Sequence, residues 1–194
     1  MNNNPEYVEV NGHTYKINTD FRYAIRCNEI AQDENIGDFE RALGIICTLF
    51  GEDGLMYQDD YEKLLKMAQK YLSCGKELED TKEEPDMDFI QDYSYIKTSF
   101  RSDYGMNLDK ENIHWWEFMD LMNGLSNSEL GNCCVLNRVR NLRNFDVSQI
   151  KDFNERNKIQ KAKEQVALKK KEKEVKLTKE QQQSVDDFYK ALGF

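Results

Sequence analysis

One stretch limits what this chain can become more than any other: Ile113-His114-Trp115-Trp116-Glu117-Phe118-Met119-Asp120-Leu121-Met122-Asn123-Gly124-Leu125. It holds both tryptophans and one of the two histidines. Aromatic side chains bury roughly 150–250 Å² each, so two adjacent indoles and a phenylalanine demand a core around them. On a helix, Trp115, Phe118, Met119 and Met122 follow i, i+3, i+4, i+7 spacing and share one face, which makes them the expected core of the segment. Trp116 points about 100° away from Trp115, so it must meet a second neighbour or a partner.

The rest of the chain reads as helices built to cover that segment. With 194 residues it fits one domain, or a domain with an appendage. Two prolines and ten glycines are too few for a sandwich rich in turns. The segment Tyr7-Val8-Glu9-Val10-Asn11-Gly12-His13-Thr14-Tyr15-Lys16-Ile17 is the exception. It alternates apolar and polar residues on both sides of Asn-Gly, and both turn positions of a tight hairpin need φ > 0. A two-stranded hairpin follows, with His13 facing solvent beside the turn.

Helical stripes then recur. Thr19 caps a helix over 20–30, and Asp38 one reaching Phe50. A third runs over 59–74, with Leu64, Leu65, Ala68 and Tyr71 at helical spacing. Residues 75–87 form an acidic linker with almost nothing apolar to bury. A fourth helix opens at Asp86 or Asp88 and stops at Gly105. After the Trp-Trp helix, Ser126-Asn127-Ser128-Glu129 fits a capping box and starts a helix to about Leu142. Its arginines Arg138, Arg140 and Arg143 suit the C-terminal dipole or pair with the acidic body.

Charge divides the chain in two. The net charge is −9, yet residues 147–179 carry more Lys and Arg than Asp and Glu. The reading is therefore an acidic helical body over 1–146 and a basic helical extension over 147–194. The extension is expected to project, because Phe153, Ile159, Val166 and Leu168 are too sparse to bury it. It ends in a short amphipathic segment, Val185, Phe188, Tyr189 and Leu192, the pattern of a helix that lies in a groove. The fold class is mainly α: a compact multi-helix domain with a small N-terminal β-hairpin and a long charged C-terminal helical arm.

Motifs for chemistry are missing. His114, Glu117 and Asp120 lie one turn apart, but a di-metal bundle site needs two Glu-x-x-His pairs, and here the order is reversed and single. No metal, no catalytic residue and no cofactor is assigned. An enzyme using His114 as base has no Gly-x-Ser-x-Gly elbow to support it, and Gly51-Glu52-Asp53-Gly54 lacks the Lys-Ser/Thr of a phosphate loop. Five cysteines without Cys-x-x-Cys spacing read as reduced core residues. No apolar run approaches the ~18 residues of a membrane span, and no basic-then-apolar leader opens the chain.

An ordered set of residues also resembles a known family. Asp92-Tyr93-Ser94-Tyr95-Ile96-Lys97-Thr98-Ser99-Phe100-Arg101-Ser102-Asp103-Tyr104-Gly105-Met106-Asn107-Leu108 precedes His114-Trp115-Trp116-Glu117-Phe118. Arg143, Asp146, Ser148, Ile150 and Lys151 follow, and residues 18–22 fit as well. The set is similar to tail assembly chaperones of long-tailed phages and prophages of Gram-positive bacteria. The resemblance implies a non-catalytic protein of the host bacterial cytoplasm, not expected in the mature virion. It would bind the tape measure protein and keep it soluble during tail tube assembly, with the tail tube protein and self-association as further partners. Contact candidates are Trp116, Tyr93, Val185, Phe188, Tyr189 and Leu192. The rival reading is a small phage or bacterial regulator that binds nucleic acid through the basic C-terminal helix; the acidic body argues against it.

Overall fold

The computed structural model describes residues 4–77, 85–127 and 133–169. The hairpin forms as its turn chemistry demands. Strands β1 (Tyr7–Val10) and β2 (His13–Lys16) pair antiparallel with Val10 opposite His13. Asn11 and Gly12 both take positive φ, 52° and 86°. Val10, Tyr15 and Ile17 are buried, so one face of the hairpin lies on helices. Past the strand, Asn18 donates its backbone N–H to Leu49 O (2.7 Å) and its side-chain amide to Thr48 O (2.9 Å). Those carbonyls end a helix and have no partner within it.

Seven helices follow among the described residues: α1 (Phe21–Ala31), α2 (Asp38–Phe50), α3 (Tyr61–Leu72), α4 (Tyr93–Tyr104), α5 (Trp115–Asn123), α6 (Val135–Asn144) and α7 (Phe153–Val166). Single 3-10 turns lie at Glu52–Leu55, Gln58–Asp60 and Val147–Gln149. Helix α4 ends on Gly105 at φ 70°, and the N–H groups of Gly105 and Met106 bond Arg101 O and Phe100 O. This is the left-handed stop that glycine permits without strain.

The core converges on Phe118. Its ring stacks on Phe21 of α1 (4.5 Å, 6°), on Phe100 of α4 (5.2 Å, 14°) and on Trp115 of its own helix (5.7 Å, 18°). Phe89 meets Trp115 edge-on. Such pairs contribute about 0.5–1.5 kcal/mol each beyond the area they bury. Trp115 and Phe118 are fully enclosed, whereas Met119 and Met122 are half-buried and pack at the margin of the core.

Helices α1 and α5 start at the same point and share their first turns. Phe21 N–H donates to Ile113 O (3.0 Å) and Trp115 N–H to Thr19 O (2.8 Å), so Asp20 and His114 face each other in an antiparallel bridge. Each of these two residues also caps its own helix. The Asp20 carboxylate accepts from Arg22 N (2.9 Å), and His114 Nδ1 accepts from Trp116 N (3.1 Å). Donors that would be orphaned at two helix starts are thus satisfied together.

Several helix starts differ from the sequence expectation for polar reasons, beginning with α1, which is capped by Asp20 rather than Thr19. Ser126 does not cap a helix, because its N–H and hydroxyl both donate to Asp103 Oδ2 (2.8 Å each). Asn127 bridges Cys133, and α6 begins only at Val135, capped by Cys134. Residues 128–132 lie outside the described residues, with the second half of that capping box. Helix α4 starts at Tyr93 rather than near Asp86 or Asp88: the Asp88 carboxylate takes the N–H groups of Ile90 and Gln91, which makes a turn. Asp146 caps a 3-10 turn, and the last helix waits for Asp152, which accepts from Glu155 N (2.7 Å).

Helix α7 does not project; it runs back along α6. None of its residues is buried and Phe153 is 69% exposed, as its sparse apolar pattern anticipates. Polar contacts at its C-terminal half hold it instead. Lys163 donates to Phe145 O (2.5 Å), and Arg143 Nε donates to Val166 O (2.7 Å).

Replacing Phe118 with Ala removes the ring on which three others stack. The expected loss is about 3–5 kcal/mol of unfolding free energy, measured by urea titration. A loss below 1 kcal/mol would contradict this account of the core.

Candidate functional site

His114, singled out in the sequence as a possible base, is occupied in holding the fold. His114 is a helix cap. With Nδ1 accepting, Nε2 carries the proton and points at Pro5 O (3.2 Å), with the Tyr71 hydroxyl 3.5 Å away. Neither ring nitrogen is left for general base work. Among the described residues, no group of His, Cys, Asp and Glu is placed to hold a metal ion. Burial pushes the Cys27 thiol up to about 12, and desolvation raises the Cys74 and Cys133 thiols as well. Raised values disfavour the thiolate that nucleophilic chemistry requires.

Both indoles face inward. Trp115 Nε1 donates to Leu72 O (3.0 Å) and Trp116 Nε1 to Tyr71 O (2.9 Å), so adjacent tryptophans satisfy consecutive carbonyls at the end of α3. Trp116 is half-buried there and tilts against the Tyr71 ring. Tyr93 is also half-buried, and burial followed by the nearby Asp109 charge raises its hydroxyl pKa. Val185, Phe188, Tyr189 and Leu192 lie outside the described residues. The large apolar side chains that do face solvent include Tyr23, Phe39, Ile90, Phe145 and Phe153. Periodicity put Phe39 in the apolar stripe of α2, yet it is 68% exposed; Tyr23, Ile90 and Phe145 it did not flag, since a stripe names the buried face and is silent about apolar residues off it.

A cluster that the sequence reading missed ties the hairpin to α3. Asp60, 1% exposed, accepts from Asn11 Nδ2 (2.5 Å), His13 Nδ1 (2.8 Å) and the Tyr15 hydroxyl (2.5 Å). His13 is therefore not simply solvent-facing: its ring stacks on Tyr57 at 3.9 Å and 7°. The alternation that puts Tyr15 inward was visible; the partner at Asp60, far along the chain, was not. The Tyr15 hydrogen bond, with those of His13 and Asn11, holds the Asp60 carboxyl below its usual value, while burial and the same carboxylate raise Tyr15.

A second polar centre joins α4, α6 and the start of the extension. Arg143 makes a bidentate pair with Asp92 (2.7 Å on both arms), their side chains 10% and 1% exposed, and also donates to Asp86 O (2.8 Å). Arg140 and Asn144 reach the Asp86 carboxylate at 3.1 Å. Beside this centre α7 leaves two openings. One is an apolar notch of about 230 Å³ lined by Asn141, Leu142, Phe145 and Ile159. The other is a cleft of about 350 Å³ between Pro85, Asn144, Gln160, Lys163 and Leu168.

A family model described as Bacteriophage Gp15 protein matches residues 1–168. The chain belongs to that family. No curated protein and no solved structure gives a match. The matched region takes in the hairpin and the seven described helices of this phage protein. No described helix is long and apolar enough to cross a membrane.

Two measurements separate these structural roles from chemistry. His114→Ala should cost about 0.5–2 kcal/mol of stability, and His114→Asp should recover most of it because an aspartate caps equally well. A general base would not be restored by that change. For Asp60, a lowered folded pKa means that its stabilisation is complete above the usual aspartate value near 4 and is withdrawn as pH falls below it. The gap in urea midpoint between wild type and Asp60→Asn should accordingly be present at pH 7 and narrow progressively as the pH is lowered below about 4. A gap constant with pH would refute the assignment.

Proposed function

We propose that this phage protein is a non-catalytic tail assembly chaperone that binds the tape measure protein and keeps it soluble while the tail tube assembles. The observation that carries the reading is the division of labour among its side chains. The histidines, the buried aspartates and both tryptophans hold the body together, while apolar side chains such as Phe39, Ile90, Phe145 and Phe153 face solvent on an acidic protein. Exposed apolar groups on a highly charged body suit a helper that covers another protein's apolar helices and keeps the complex dispersed. Membership of a phage family and the ordered His-Trp-Trp set support the same reading. It places the protein in the host cytoplasm, outside the finished virion, with the tube protein as a second partner.

The nucleic-acid alternative would use the basic extension. In α7, however, Lys163 donates to Phe145 O and Arg156 to Ile150 O, which leaves fewer donors free for phosphates.

Co-expression is the direct test. A tape measure fragment that is insoluble alone should become soluble with this protein and co-purify with it, unaffected by nuclease. Failure to solubilise any tape measure fragment, together with DNA or RNA binding that weakens steeply with salt, would overturn the proposal in favour of the alternative.

A further inference from the structure

Helix α7 sits on α6 in an unusual way. Among the described residues, α7 and its exit are held to the body by Lys163 on Phe145 O, by Arg143 on Val166 O, and by a paired contact at Gln91. There the Gln91 amide donates to Lys169 O (3.0 Å) and accepts from Lys169 N (2.8 Å). In each of these bonds at least one partner is main chain. The seat therefore reads little of α7 beyond Ile159 and Lys163, and any helix with an apolar residue and a Lys or Arg one turn later meets the same partners. Gln91 offers its amide to the backbone of whatever residue follows, as a neighbouring strand would.

The seat is also larger than its occupant. Ile159 leaves the notch beside Asn141, Leu142 and Phe145 open, and the adjoining cleft is unfilled. A side chain bulkier than Ile would gain contacts that α7 lacks. With no buried residue, α7 draws little stability from the core, and a helix of this length is marginal once detached. The segment 150–152 between the 3-10 turn and α7 is extended and exposed or half-exposed, a place where the chain can swing without disturbing the body.

We propose that the α6 face under α7 is an exchangeable helix-docking site. In the free protein α7 occupies it; in the complex an amphipathic tape measure helix displaces α7. That helix would carry a large apolar residue at the Ile159 position, Lys or Arg four residues later, and an extended continuation that Gln91 grips. This rests on the chaperone reading for the identity of the partner, though not for the existence of the seat.

Two variants bias the exchange in opposite directions. Ile159→Asp loosens α7, and Ile159→Phe fills the notch and fastens it. Since Ile159 lies outside the core, both should keep the wild-type circular dichroism of the body. Hydrogen exchange over 153–166 should be faster in Ile159→Asp and slower in Ile159→Phe. A labelled peptide spanning residues 150–169 should bind Ile159→Asp at least tenfold tighter than wild type, and Ile159→Phe weakest. Peptides tiled along the tape measure protein should yield a binder with the same ranking, which the 150–169 peptide displaces. Equal affinity of all three forms for the 150–169 peptide would overturn the seat. A tape measure peptide that binds all three equally without competition would overturn the docking site and leave the chaperone reading intact. If the 150–169 peptide ranks as expected but no tape measure peptide or co-expressed fragment binds any form, the partner and the chaperone reading both fall.

Discussion

The body of this protein hangs on the place where two helices begin together. Four exposed N–H groups at a helix start need partners, and α1 and α5 supply them to each other by pairing Asp20 with His114 across an antiparallel bridge. That pairing sets Phe21 and Trp115 at matching positions one residue into their helices. Phe118, one turn on, then meets Phe21, and Phe100 of α4 closes the stack from its other neighbour. From the same helix the two indoles reach the last carbonyls of α3. A single short helix thus organises the ends or faces of three others, and its aromatic density follows from that geometry.

Buried charge has a related role. Asp60 fastens the hairpin to the entry of α3, and Asp92 fastens α6 to α4 through Arg143. Breaking a buried pair by removing one partner costs roughly 3–5 kcal/mol, whereas apolar replacements of both are often neutral. Such pairs therefore contribute registration more than raw stability. They also leave most of the acidic residues on the surface.

Much of this was legible in the chain. Asn11-Gly12 marked the hairpin because few residues other than Asn and Gly enter positive φ cheaply, and Gly105 marked the end of α4 for the same reason. Helical stripes located the helices, since a buried face recurs every three to four residues. Starts were read less well. Ser126 looks like a cap, but Asp103 claims its hydroxyl and its N–H. Asp88 looks like a helix cap too, and forms a local turn instead, while Asp146 caps only a short 3-10 turn. A capping side chain has several backbone groups within reach, and its choice depends on neighbours that sequence proximity does not reveal. His13 was read as solvent-facing and Trp116 was left between a neighbour and a partner for the same reason: each is fixed by a group on α3 or at its entry.

By itself, the sequence determined that this would be a helical protein with a hairpin near its start and a core built around Trp115 and Phe118. Those follow from local rules of turn geometry, periodicity and residue type. Only the tertiary structure decided that His114 is a cap, that the double tryptophan closes α3, and that α7 folds back onto α6 rather than projecting. Each of those outcomes depends on main-chain donors and carbonyls, which every residue carries alike. A side-chain pattern cannot announce where they will meet; the packed chain has to bring them together.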